Sequence, residues 1–310
     1  MFSQQPGPLR SCTVKGHAVM QIQEKRLAWL FLTPLLIALA GVAMWPLARN
    51  IYFSFTNAYL DNPSDYSFVG LENFVTVIED PVFWGAVKNT MIFTTVSVAF
   101  ETLLGLAIAL LLHRAFAGRG LVRAAILVPW AMPMVVSAKI WEWMLNDQFG
   151  LVNKALVWLG FLDKGIAWTA DPSLILGTVI FIDVWVTTPF MVLLILAGLQ
   201  LIPEEIYEAA EVSGIPAWKR LWSITLPLAA PAIGVAVLFR TLDALRMFDL
   251  SYVIAANNEN AMTMSIYARD QLIGFQDLGV GSAASTWVFL IVGLVAITIV
   301  SILRLDRGTA

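Results

Sequence analysis

Charge is scarce in this chain: 13% of its 310 residues are Asp, Glu, Lys or Arg, while 59% are hydrophobic. A soluble domain carries about 25% charged residues, so this composition takes lipid rather than water as its solvent. Cysteine is almost absent. Cys12 alone excludes a disulfide framework and any cysteine-based zinc spacing. The only histidines are His17, in a polar N-terminal stretch, and His113, at the end of an apolar run. With no HExxH and no Ser or Cys nucleophile setting, neither a catalytic residue nor a metal site is expected. A GxxxxGK[ST] phosphate loop is also missing, so this chain is not expected to hydrolyse ATP itself. The net charge of −3 comes with no concentrated basic face, which argues against a nucleic-acid partner.

What is abundant is apolar sequence in long runs. Six of them, at about 27–48, 90–112, 124–145, 174–199, 228–255 and 283–303, approach or exceed the roughly 20 residues a helix needs to cross a hydrocarbon core. Backbone groups in lipid must be satisfied within the segment, so these runs are helices. The expected fold is an all-α polytopic membrane protein with six transmembrane helices. The first run is too long for a signal-peptide core and lacks a cleavage site, so it is a retained span. Residues 27–304 then form one membrane domain, flanked by tails at 1–26 and 305–310, with Met20 as an alternative start. Lys25 and Arg26, then Arg114, Arg119 and Arg123, then Lys219 and Arg220, then Arg304 and Arg307 fall on one side. That side is cytoplasmic by the positive-inside rule, with both termini on it.

Small residues such as Gly105, Gly177, Gly234 and Gly281 suit close helix packing. Aromatic residues gather near span ends, as interfacial anchors do. Trp141 and Trp143 have a second reading, because an aromatic face also packs on the apolar face of a sugar ring. Glu101, Lys139, Glu142, Asp183, Arg240, Asp243, Arg246 and Asp249 fall in or at the edges of apolar spans. A charge near the bilayer centre costs about 2.5–3.5 kcal/mol on insertion scales, so such residues turn inward and pair. Arg240 with Asp243, Asp243 with Arg246 and Arg246 with Asp249 are at helical i, i+3 spacing, which predicts a polar ladder up the fifth span. The ladder reads either as a neutralised seam to a partner or as the lining of a translocation path. Asp183 and Thr187, one turn apart and beside Pro189, are candidates for the same path.

The segment 201–227 is too patterned for a linker. Pro203 followed by Glu204 and Glu205 opens a helix whose dipole favours acids there. Ile202, Ile206, Ala209, Ala210 and Ile215 form an apolar stripe suited to docking. Ser213-Gly214 closes that helix, and Pro216 opens a second short one with Lys219 and Arg220 toward its end, before Pro227 leads into the fifth span. A hairpin lying on lipid headgroups is the other reading of this pattern.

Glu208-Ala209-Ala210, Gly214, Ile224, Leu226 and Pro227 resemble the EAA loop of binding-protein-dependent ABC importer permeases. Ser213 stands where that family usually has an acid, Ile215 where it has alanine and Leu221 where it has an aromatic residue. The segments FVGLENF (68–74), PFMVLLILAGL (189–199) and LFRTLDALRMFD (238–249) resemble the carbohydrate-uptake branch, in particular the maltose and trehalose importer subunits. The resemblance implies a type I ABC importer fold in a bacterial inner membrane, with the EAA helix-turn-helix inserted into an ATPase subunit. It further implies a second permease, two ATP-binding subunits that hold ATP and Mg, an extracytoplasmic solute-binding protein and a sugar substrate. A secondary carrier or channel using Asp183 and Asp243 for ion coupling is the alternative, although no mirrored pair of Gly-interrupted spans is visible.

Overall fold

The computed structural model describes residue 27, residues 29–255 and residues 258–303. The tails 1–26 and 305–310, with Cys12, His17, Met20, Lys25, Arg26 and Arg307, lie outside the described residues, as does Arg304. The chain divides into two compact units, one ending at Tyr52 and one starting at Phe53. The first contains nearly all of α1 (Trp29–Phe53), an apolar helix long enough to span a bilayer, with a π-helical turn at Ala40–Met44 just before Pro46.

The second unit consists of helices and connecting loops, with two isolated β-bridges among its described residues. Its elements in order are α2 (Glu72–Glu79), α3 (Pro81–His113), α4 (Arg119–Ala131), α5 (Met134–Met144), α6 (Leu151–Trp158), α7 (Ile175–Gln200) and α8 (Glu204–Val212). Then come α9 (Ala217–Ala244), α10 (Asp249–Ala255), α11 (Met264–Arg269) and α12 (Leu278–Leu303). Of these, α3, α7, α9 and α12 are each long and apolar enough to cross a membrane.

The largest departures from the sequence-based outlines are in the second, third and fifth spans. The second begins at Pro81 rather than Thr90, because Asp80 caps it by accepting from the Val82 N–H at 2.8 Å and proline is well placed at the first helical position. The third is not one helix. Met132 precedes Pro133 and is driven to an extended conformation, so α4 and α5 meet at a bend of 91°. The fifth ends at Ala244 instead of continuing to Ala255; residues 245–248 turn the chain before α10.

The core is built around α7, which packs on α3, α4, α5, α9 and α10. The α3 helix turns Phe83, Ala86, Thr90, Phe93, Thr94, Ser97, Glu101, Gly105, Ala109 and Leu112 inward at spacings of three and four. Close approach depends on small residues: a Cβ on Gly105 would stand 2.8 Å from the Met191 Cβ, and one on Gly198 would overlap the Ala232 Cβ. Between α5 and α7, Asn153 holds the connecting loop, donating to the Asn146 and Ile166 carbonyls and accepting from Ile166 N–H and Trp168 Nε1 at 2.9–3.0 Å.

Candidate functional site

Two features stand out, a buried charge cluster in the membrane core and a helical hairpin at one end of the bundle. The cluster joins α3, α7 and α9. Arg240 Nε donates to Glu101 Oε2 at 2.6 Å and Nη2 to Glu101 Oε1 at 3.0 Å, a bidentate pair. Arg240 Nη2 also donates to Asp183 Oδ2. Thr187 Oγ1 lies 2.7 Å from both Glu101 Oε1 and the Asp183 carbonyl, so its one hydrogen is shared between them. The side chains of Glu101 and Asp183 are fully buried and that of Arg240 is 1% exposed. The buried carboxylates come from α3 and α7 and the guanidinium from α9, so the buried charges are paired only where the three helices meet.

This geometry redistributes the residues expected on a translocation path. Asp183, Thr187 and Arg240 are sealed inside the chain's own packing. Asp243 reaches Arg240 Nη1 at 3.2 Å but is 69% exposed, so its share of the pairing is screened. The continuous polar ladder does not form. Because α9 stops at Ala244, Arg246 turns its Nε to the Leu242 carbonyl at 3.1 Å, and Asp249 opens α10; both are exposed. Trp141 is half-buried with its edge contacts committed to Phe181 and Trp185, at centroid distances of 5.2 and 5.4 Å, whereas Trp143 is exposed. Glu101, the residue that completes the cluster, carries a readable signal: it is the only charged side chain between Lys88 and Arg114. Local i, i+3 spacing pointed to Asp243 instead.

The hairpin is built from α8 and the first turns of α9. Gly214, at φ 69°, lets α8 close with its N–H on the Glu211 carbonyl at 2.9 Å and the Ile215 N–H on the Ala210 carbonyl at 3.0 Å. Both bonds of a Schellman cap are thus made. Ser213 spends its hydroxyl on the Ala209 carbonyl at 2.8 Å, strengthening the same helix end. Arg220 reaches back to Glu211 at 2.6 Å and ties the two arms together. The second arm does not end near Arg220: α9 runs on through a π-helical turn at Leu221–Thr225 into the span. That turn precedes Pro227, which lacks the N–H a regular turn would need.

Except for Ala209, the apolar stripe expected on the first arm faces inward. Ala210 is buried and Ile202, Ile206 and Ile215 are half-buried, because the chain's own bundle takes that face. The hairpin instead exposes Glu208, Ala209, Val212 and Gly214, with Val212 at 92% exposure. Ile224 and Leu226 are half-buried and Pro227 is exposed at the base of the second arm. Between the hairpin and the α3–α4 turn lies a cavity of about 1140 Å³, lined among others by His113, Arg119, Glu204, Tyr207, Trp218 and Arg220.

With this geometry in hand, the comparisons with known proteins are specific. Residues 101–305 match the family described as binding-protein-dependent transport system inner membrane component. The trehalose transport system permease protein SugA of Mycobacterium tuberculosis is 39% identical over 276 residues, covering 89% of this chain and 88% of the relative. The trehalose/maltose transport system permease protein MalF of Thermococcus litoralis is 39% identical over 278 residues, covering 88% and 92%. Among solved structures, a chain of a bacterial alginate ABC transporter in complex with an alginate pentasaccharide-bound periplasmic protein aligns with a TM-score of 0.81. Its identity is 22%, and the alignment covers 94% of this chain and 98% of that one. The fold is that of type I ABC importer permeases.

Proposed function

The chain belongs to the family of binding-protein-dependent transport system inner membrane components, and from that premise we propose that it forms half of the membrane pathway of a sugar importer. The substrate is a disaccharide of the trehalose or maltose kind, or a related oligosaccharide or polyol. The observation that carries this reading is the 39% identity to a trehalose permease across 89% of the chain.

In this reading residues 27–304 are the permease domain, lying in a bacterial inner membrane with both termini cytoplasmic, and 201–227 is the coupling loop. A second permease completes the pathway, two ATP-binding subunits hold ATP and Mg, and an extracytoplasmic solute-binding protein delivers the sugar. The chain itself binds no cofactor and hydrolyses no ATP. The residues Glu208, Ala209 and Gly214 enter a cleft on the ATPase, while Ala210, sequence-matched to the same docking motif, packs the arm on the chain's own bundle behind them, and Ile224, Leu226 and Pro227 set the angle of the second arm. The exposure of Glu208 and Val212 supports this docking. Because the second arm is continuous with α9, closure of the ATPases moves Arg240, and the Glu101–Asp183 clamp makes α3 and α7 follow. Asp243, Arg246, Asp249 and Trp143 are the residues of this chain with exposed groups for the pathway or the partner permease, while Asp183, Thr187, Arg240 and Trp141 act from behind them.

Reconstitution with the ATPase, the second permease and the binding protein in proteoliposomes tests this. Labelled trehalose or maltose is expected to accumulate only with ATP on the ATPase side and binding protein on the other. Uptake by this chain alone, driven by an ion gradient without ATP, sinks the proposal.

A further inference from the structure

A second, smaller groove of about 220 Å³ runs between α4 and α7 near the hairpin end of the bundle. Its walls are Ile126 and Leu127 from α4 and Val192, Leu193, Leu196 and Ala197 from α7, with Leu112 from the end of α3. The four α7 residues lie at spacings of one, three, four and five, so that wall is one helix face, and on α4 Arg123 lies three and four positions before Ile126 and Leu127. Two polar side chains line the groove, Arg123 and Gln200. Among the described residues, Arg123 Nε and Nη2 are buried and have no hydrogen-bond acceptor. A guanidinium stays charged under all physiological conditions. Leaving its donors covered and unpaired is costly, so the groove calls for an acceptor that the chain does not supply. The surface around it, at Leu111, Leu121, Val122 and Val128, is exposed and apolar, as a lipid-facing surface is.

We propose that this groove binds an anionic phospholipid, with the phosphate on Arg123 and an acyl chain along the apolar wall. A free anion satisfies the guanidinium but leaves the wall unfilled, and an uncharged apolar molecule does the reverse; only an amphiphile with an acidic head meets both. Basic pockets between membrane helices on the cytoplasmic side take such headgroups. The bound lipid comes from the leaflet on the hairpin side. It touches Gln200, the last residue of α7, just before Pro203 and the start of α8. The inference needs only that the chain lies in a bilayer, so its failure leaves the transport reading untouched.

The test is native mass spectrometry of the full chain extracted in detergent, with phosphatidylglycerol or phosphatidylcholine added. The native chain is expected to retain phosphatidylglycerol about fivefold better than phosphatidylcholine, the worth of one arginine at an anionic surface. Arg123→Ala loses the preference and Arg123→Lys keeps it. Ala197→Trp, which fills the groove and leaves the charge in place, loses retention of either lipid. Excess inorganic phosphate leaves the lipid bound. Equal retention by the native chain, Arg123→Ala and Ala197→Trp overturns the proposal, and displacement by inorganic phosphate overturns it in favour of a free-anion site.

Discussion

Arg240 and Glu101 stand 139 positions apart in the chain and form a two-point ion pair, at 2.6 and 3.0 Å, inside the membrane core. With Asp183 on the third helix, the pair ties α9 to both α3 and α7. Removing one partner of a buried pair leaves an uncompensated charge and costs about 3–5 kcal/mol. Arg240 is the one guanidinium shared by the buried Glu101 and Asp183, so Arg240→Ala is expected to lower the thermal unfolding temperature sharply in detergent. Replacing Glu101, Asp183 and Arg240 together with apolar residues of similar volume is expected to recover most of that loss while abolishing transport. A triple variant as unstable as Arg240→Ala argues that the charges themselves hold the helices.

Gly214 tests the hairpin through its backbone. Nothing lies within 4 Å of where its Cβ would be, so a substitution meets strain and no collision. Gly214→Val is expected to cost about 1–2 kcal/mol at the left-handed position and to weaken co-purification of the ATPase subunit. Gly214→Asn, whose side chain tolerates that region, is expected to retain most of it. A pull-down comparing the two variants decides the matter, and equal loss in both points to a side-chain contact at this site.

Gly105 makes the opposite case, because there space is the limit. Gly105→Ala is expected to destabilise by about 1–3 kcal/mol. Met191→Ala brings no relief, since the atom in the way is the Met191 Cβ, which alanine keeps. Thermal unfolding of the double variant checks this, and recovery in it would show that α3 and α7 separate more easily than their packing indicates.

Tyr267, outside the spans, donates its hydroxyl to Asp80 Oδ2 at 2.7 Å. Burial, and then the Asp80 carboxylate, push its phenol above the usual tyrosine value. A folded-state value raised above the unfolded one adds stability that is complete below about pH 10 and lost as the pH climbs through the folded value. Tyr267→Phe is expected to be less stable by about 1–2 kcal/mol near neutral pH, with the gap narrowing above about pH 10. A gap that is constant to the highest accessible pH contradicts the assignment.

The spans were legible because apolar length is a one-dimensional property, and the Glu208-Ala209-Ala210 and Gly214 pattern marked the hairpin for the same reason. Breaks within spans were harder to read. Met132-Pro133 looks no different in sequence from Pro189, yet the first pair turns the chain by 91° while α7 runs through Pro189. Pro189 is held in a helix packed on its neighbours, with Thr187 and Thr188 bonding the Asp183 and Val184 carbonyls just upstream. The partners of Arg240 lay on other helices, and no local spacing reports that. The inward turn of Ala210 and Ile215 was hidden too, because an apolar stripe does not say whether its own chain or another one covers it.

Glu208 is an exposed acid midway along α8 and absent from every ion pair among the described residues. In the proposed mechanism the hairpin that carries it drives, and is driven by, an ATPase made by another chain. The most direct measurement is ATP hydrolysis by the reconstituted complex with sugar-loaded binding protein, native against Glu208→Lys. The expected result is stimulated hydrolysis in the native complex and none in the variant, with membrane insertion and unfolding temperature unchanged. Equal stimulation in both contradicts the account.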